Sequence, residues 1–93
     1  MREKTIEQKL REAVKKAGGM ALKFISPSVR GVPDRLLLFP DGKIAFVELK
    51  APEKKPSALQ EVVHKRLRSL GFNVYVIDGV EQIGGVIDEI QSP

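Results

Sequence analysis

Asp34, Glu48 and Lys50 are the residues whose types and spacing could do chemistry. Asp34 opens the apolar run "DRLLLF", and Glu48 and Lys50 close the run "KIAFVELK". Charge is costly inside a sheet of Leu, Ile, Phe and Val. The intervening "FPDGK" decides which residues face each other. Pro40 suits the start of a type I turn and Gly42 the left-handed position after it, a three-residue loop with a bulge glycine. That register pairs Phe39 with Lys43, leaves Leu38 loosely matched beside Gly42, sets Leu36 opposite Phe46 and sets Asp34 opposite Glu48. A two-residue Asp-Gly loop would put the carboxylates on opposite faces, but Pro40 does not suit a primed turn. Lys50, two residues past Glu48, points to the same face.

Opposed side chains lie about 5 Å apart. Two carboxylates this close repel, and one is pushed toward its protonated form. A divalent cation relieves that repulsion. Mg²⁺ keeps several waters and suits two carboxylates plus a phosphate. Lys50 could then hold a water or stabilise charge growing on a phosphate. The competing reading is a Glu48–Lys50 or Asp34–Arg35 ion pair at a wet sheet edge.

The hairpin needs neighbours. Ile6, Leu10, Val14 and Ala17, with Ala13 beside them, recur at helical spacing over residues 3–17, and Gly18-Gly19 ends that helix. "MALKFI" (20–25) reads as a strand and "SPSVRGVP" (26–33) as a loop. "APEKKP" (51–56) is a polar linker. Ser57 starts a second helix whose apolar stripe is Leu59, Val62, Val63, Leu67 and Leu70. "FNVYVID" (72–78) is a further strand. Ile83, Ile87 and Ile90 have helical spacing that Gly84-Gly85 weaken. The order is αβββαβ with a weak terminal helix. It predicts an α/β fold: an early three-strand meander, a helical crossover to the last strand, and a small mixed sheet flanked by helices.

The 93 residues suggest one domain with one core. No cysteine is present, which excludes disulfides and thiolate metal sites. No apolar run approaches a membrane span, and "MREKTIEQKL" has no signal-peptide core. These features predict a cytoplasmic protein. A net charge of +4 and a pI near 9.6 allow a polyanionic partner, and equally a solvated basic surface. One Tyr and four Phe are too few for a base-stacking platform on single strands.

"GVPDR" followed by "FVELK" resembles the PD-(D/E)XK nuclease motif. More narrowly, "GGMALKF", "GVPDRLLLFPDGKIAFVELKAP", "SALQ" and "LGFNVYVID" resemble, in order over roughly residues 6–83, the compact stand-alone form of the VRR-NUC nuclease domain. The resemblance implies a restriction-endonuclease-like core and a metal-dependent endonuclease acting on DNA. It implies Mg²⁺ or Mn²⁺ held by Asp34, Glu48 and the backbone carbonyl of Leu49, with Lys50 as the catalytic lysine. The superfamily's first-helix acid falls on Glu7, whose plainer role is an exposed pair with Arg11. Gln60 matches the "S-x-x-Q" glutamine that lines the active site. Yet Ser57-Ala58-Leu59-Gln60 is also a capping box.

Other polar residues complete the expectation. Lys23 could point along the sheet toward the phosphate, and Arg30 and Arg35 could bind backbone phosphates, with Ser26 and Ser28 donating nearby. Lys54, Lys55, Lys65, Arg66 and Arg68 could line a duplex or remain solvated. His64, alone on a charged helix face, reads as a bystander, and Tyr75 as packing. The implied reaction is water attack on a phosphodiester with no covalent intermediate. Such domains resemble Holliday-junction resolvases, which implies branched DNA and a homodimer in a bacterial or phage-infected cell. Ile83 to Ile90 could form that interface or finish the core. The alternatives are a DNA-binding module that does not cut, a structural protein, and a nuclease of plain duplex or flap DNA.

Overall fold

The computed structural model describes residues 2–93. Helix α1 (Glu3–Lys16) leads into strands β1 (Met20–Lys23), β2 (Arg35–Phe39) and β3 (Lys43–Leu49). Helix α2 (Ala58–Ser69), strand β4 (Val74–Ile77) and helix α3 (Ile83–Gln91) follow. The sheet order is β1-β2-β3-β4. The first three strands are antiparallel, and α2 carries the chain across to β4, which runs parallel to β3. This is the expected mixed sheet flanked by helices.

The hairpin has the expected register. Phe39 pairs with Lys43, Leu36 with Phe46 and Arg35 with Val47, so the next step outward sets Asp34 opposite Glu48. The turn itself differs from the expected type I form. Asp41 lies in the left-handed region at φ 68°, as does Gly42 at φ 71°. A short polar side chain tolerates that region better than most. The loop still has three residues, so the register is unchanged, and Leu38 pairs regularly with Ile44 rather than loosely.

One face of the sheet holds the core. Ile6, Leu10 and Val14 of α1 and Ile83, Ile87 and Ile90 of α3 pack against Leu37, Phe39, Ala45, Val47, Leu49 and Ile77. The terminal helix is therefore a full element, and its isoleucines finish the core rather than form an interface. Gly84 and Gly85 face open space, so they leave the packed stripe of α3 intact. Lys43 Nζ donates to the carbonyls of Gln91 and Ser92 at 2.6 and 3.0 Å, closing the α3 C-terminus.

The other face carries α2, and here the expected apolar stripe fails. Val62 is 65% exposed, and Leu59 and Leu70 are exposed too. The buried residue of α2 is His64. Helix α2 lies over the carboxylate end of the sheet, and its inward face carries the polar pair Gln60 and His64 beside the half-buried Val63 and Leu67. Met20, Leu22 and Ile44, which share that sheet face by register, remain partly exposed. Among the described residues no helix is long and apolar enough to cross a membrane.

Candidate active site

Asp34 enters the sheet from a loop that only a glycine serves well. Gly31 has φ +87°, and a Cβ there would meet Leu59 Cγ at 3.1 Å and Val63 Cγ2 at 3.2 Å. The missing side chain lets the loop lie against α2. Pro33 is fully buried and leads the chain into Asp34. Asp34 then ties the two strands: its carbonyl accepts from Phe24 N–H at 2.9 Å, and its Oδ1 accepts from Leu49 N–H at 3.0 Å. In an extended strand a residue's N–H and C=O point to the same side. The Leu49 carbonyl therefore faces the Asp34 side, beyond the last β2 pairing, while Lys50 N–H turns to Ile77 of β4.

Glu48 is 4% exposed. Its Oε2 lies 3.4 Å from Lys50 Nζ and accepts from Gln60 Nε2 at 3.3 Å. Its Oε1 is buried without a hydrogen-bond partner, 3.8 Å from His64 Nε2. Gln60 forms the capping box and also reaches Glu48. Its Oε1 accepts from Ser57 N–H at 2.9 Å and its backbone N–H donates to Ser57 Oγ at 3.1 Å, while its amide nitrogen reaches Glu48.

Burial pushes Asp34 above the usual carboxylate range, against the opposing pull of the Leu49 N–H, and the charge of Glu3 raises it further. Glu48 is also pushed up, first by burial and then by Asp34, with Lys50 pulling back and Glu3 adding to the rise. The helix acid whose charge reaches both carboxylates is thus Glu3. Glu7, one turn later, gives its Oε1 to Arg35 at 3.0 Å. It does not pair with Arg11, and it is turned to the core side of the sheet.

No family model matches the chain. The sequence is 54% identical over 78 residues to "Putative nuclease p44" of Acyrthosiphon pisum secondary endosymbiont phage 1, which covers 84% of each protein. The fold matches a solved structure described as a VRR_NUC domain with a TM-score of 0.86 and 32% identity, over 92% of this chain and 94% of that one. The chain belongs to the VRR-NUC family.

Within this VRR-NUC fold the structure gathers Asp34, Glu48, Lys50 and Gln60, with the Leu49 backbone beside them. It separates others. Arg35 is 7% exposed and paired to Glu7, so it is not offered to a phosphate. Lys23 pairs with Arg35 in register and shares its face, opposite the carboxylates. Arg30 is exposed on the loop. Ser26 Oγ accepts from Val29 N–H at 3.1 Å and lies 3.3 Å from Ser28 Oγ, which ties both hydroxyls into that loop. Lys54, Lys55, Lys65 and Arg68 line a cleft of about 440 Å³ beside α2, with His64 in its wall. Arg68 also donates to the Val74 carbonyl at 2.8 Å. Tyr75 is half-buried and its hydroxyl donates to Glu89 at 3.0 Å.

One neighbour of the carboxylates was missed in the sequence. His64 faces Glu48: it stands four residues after Gln60, and that spacing puts both on one helix face. Arg35 follows Asp34 in a strand, so alternation alone sends it to the opposite face, where it needs an acid.

The raised carboxylates make a prediction about stability. A group that binds its proton more tightly folded than unfolded makes the unfolding free energy fall as pH rises, from the unfolded carboxylate value up to the folded one. Metal-free protein should therefore lose stability through the mildly acidic range and stay lower at neutral pH. Asp34→Asn keeps an oxygen for Leu49 N–H and removes the charge. In EDTA at pH 7 it should melt a few degrees above wild type, with the gap closing near pH 4. Thermal melts at both pH values check this. A variant that melts below wild type at pH 7 contradicts it.

Proposed function

We propose that the protein is a divalent-metal-dependent endonuclease that hydrolyses DNA phosphodiester bonds, preferring branched DNA such as four-way junctions. The observation that carries this reading is the opposed pair Asp34 and Glu48, whose charged forms are disfavoured as they stand. Glu48 Oε1, buried without a donor, also fits a cation in its neighbourhood. Among the described residues no group of three or more His, Asp or Glu is arranged to hold a metal. Mg²⁺ does not require one, since it is bound by one or two carboxylates and keeps waters for the rest. Asp34, Glu48 and the Leu49 carbonyl would hold Mg²⁺ or Mn²⁺. When bound, the ion supplies Lewis-acid neutralisation of the phosphate and a lowered pKa for water.

The chain's own residues do the rest. Lys50 is near the rim of the site, with its ammonium held by Glu48, and can orient the attacking water or meet charge growing on the phosphate. Gln60 braces Glu48 from α2. The negative charge of Glu3 acts on both carboxylates and adds to the site's pull on a cation. Lys54, Lys55, Lys65 and Arg68 supply positive charge for the DNA backbone. The active form is a homodimer. The exposed apolar strip of Met20, Leu22 and Ile44 gives that dimer a surface, in place of the isoleucines now in the core.

The test is cleavage of a labelled four-way junction, a plain duplex and a flap, with Mg²⁺ and with EDTA. The expected result is Mg²⁺-dependent product, most from the junction, by a protein that sediments as a dimer. Equal rates on all three substrates would remove the branched-DNA preference. Salt-sensitive binding with no product in Mg²⁺ or Mn²⁺ would leave a binding module instead.

A further inference from the structure

His64 is 2% exposed, and its Nε2 has no hydrogen-bond partner. The acceptor it faces, Glu48 Oε1 at 3.8 Å, has none either. A buried donor and a buried acceptor that are both unmet are unfavourable. Closing the gap by about 1 Å satisfies both. The other carboxylate oxygen already has Gln60 and Lys50. Resting on the proposed function, we infer that His64 is a positioning residue: its Nε2–H donates to Glu48 Oε1 and holds the carboxylate in the orientation that takes a divalent cation beside Asp34.

The arrangement of α2 supports this role. Gln60 and His64 are one turn apart and face opposite oxygens of one carboxylate, so donors on both would fix its plane. Oε2 is taken up by Gln60 and Lys50, but Oε1 has two lone pairs, so it can accept from His64 and still offer electrons to a cation. The role needs the proton on Nε2, the ring nitrogen that faces Glu48. Partners of this kind orient metal ligands, and losing one weakens metal binding without removing a ligand.

The test is calorimetric titration of Mn²⁺ into the full chain without DNA, for wild type, His64→Leu and His64→Gln, each checked for folding by circular dichroism. His64→Leu fills the space without a donor and should bind Mn²⁺ about tenfold more weakly or worse. His64→Gln restores an N–H near the same place and should recover most of the affinity. If His64→Leu does not fold, His64→Met serves as the donor-free variant. A donor-free variant that binds Mn²⁺ as wild type does, or a His64→Gln variant as weak as the donor-free one, overturns the inference alone. Wild type that binds no Mn²⁺ overturns the proposed function and this inference with it.

Discussion

Glu48→Gln should lower the cleavage rate by at least about 10³-fold while leaving the protein folded, because groups that act as a unit on the transition state are lost together. Glu48 is the point where β2, β3 and α2 meet. Asp34 opposes it, Lys50 and Gln60 hold one oxygen, and His64 faces the other. Removing its charge takes away a metal ligand and the anchor of the Lys50 ammonium in one step. The fold should survive, since burial and Asp34 already disfavour that charge. Gln60→Ala removes only a brace and should cost about 10- to 100-fold. Single-turnover rates on junction DNA at saturating Mg²⁺, with melts on the same preparations, separate these outcomes. Full activity in pure Glu48→Gln would sink the assignment.

Glu7→Ala should destabilise the fold by about 2 kcal/mol, because it leaves the Arg35 guanidinium buried without its partner. For a domain of this size that is a drop in Tm of roughly 8–16 °C. The half-exposed position of Glu7 keeps the figure below that of a fully buried pair. Glu3→Ala should do the reverse. Glu3 is exposed and contributes charge at the site rather than packing, so its loss should leave the urea midpoint nearly unchanged and weaken Mg²⁺-dependent cleavage. Urea unfolding and cleavage measured on both variants decide between the two helix acids. Wild-type stability in Glu7→Ala with lost activity would return Glu7 to the site.

The site was legible in the sequence where local rules decide geometry. Loop length and strand alternation set Asp34 opposite Glu48, even though the turn puts Asp41 in the left-handed region where a type I turn was expected. The capping box at Ser57 placed Gln60 at the first turn of α2, and geometry then gave that side chain a second role. Legibility failed where a face had to be assigned to a neighbour. The apolar stripe of α2 looked like core, but the core lies on the other side of the sheet under α1 and α3, and α2 faces the carboxylates. For the same reason the sequence did not show that His64 faces Glu48 or that Glu7 pairs with Arg35. The weak-looking α3 formed because Ile83, Ile87 and Ile90 had a sheet face to cover, which outweighs two glycines on the solvent side.

The central claim is that Asp34 and Glu48 together hold a divalent cation. The most direct measurement is an anomalous difference map from crystals soaked in Mn²⁺. A peak is expected between the two carboxylates and the Leu49 carbonyl, absent from Asp34→Asn crystals treated in the same way. A map with no peak there, or with Mn²⁺ on other residues while the crystallised protein still cleaves DNA, would contradict it.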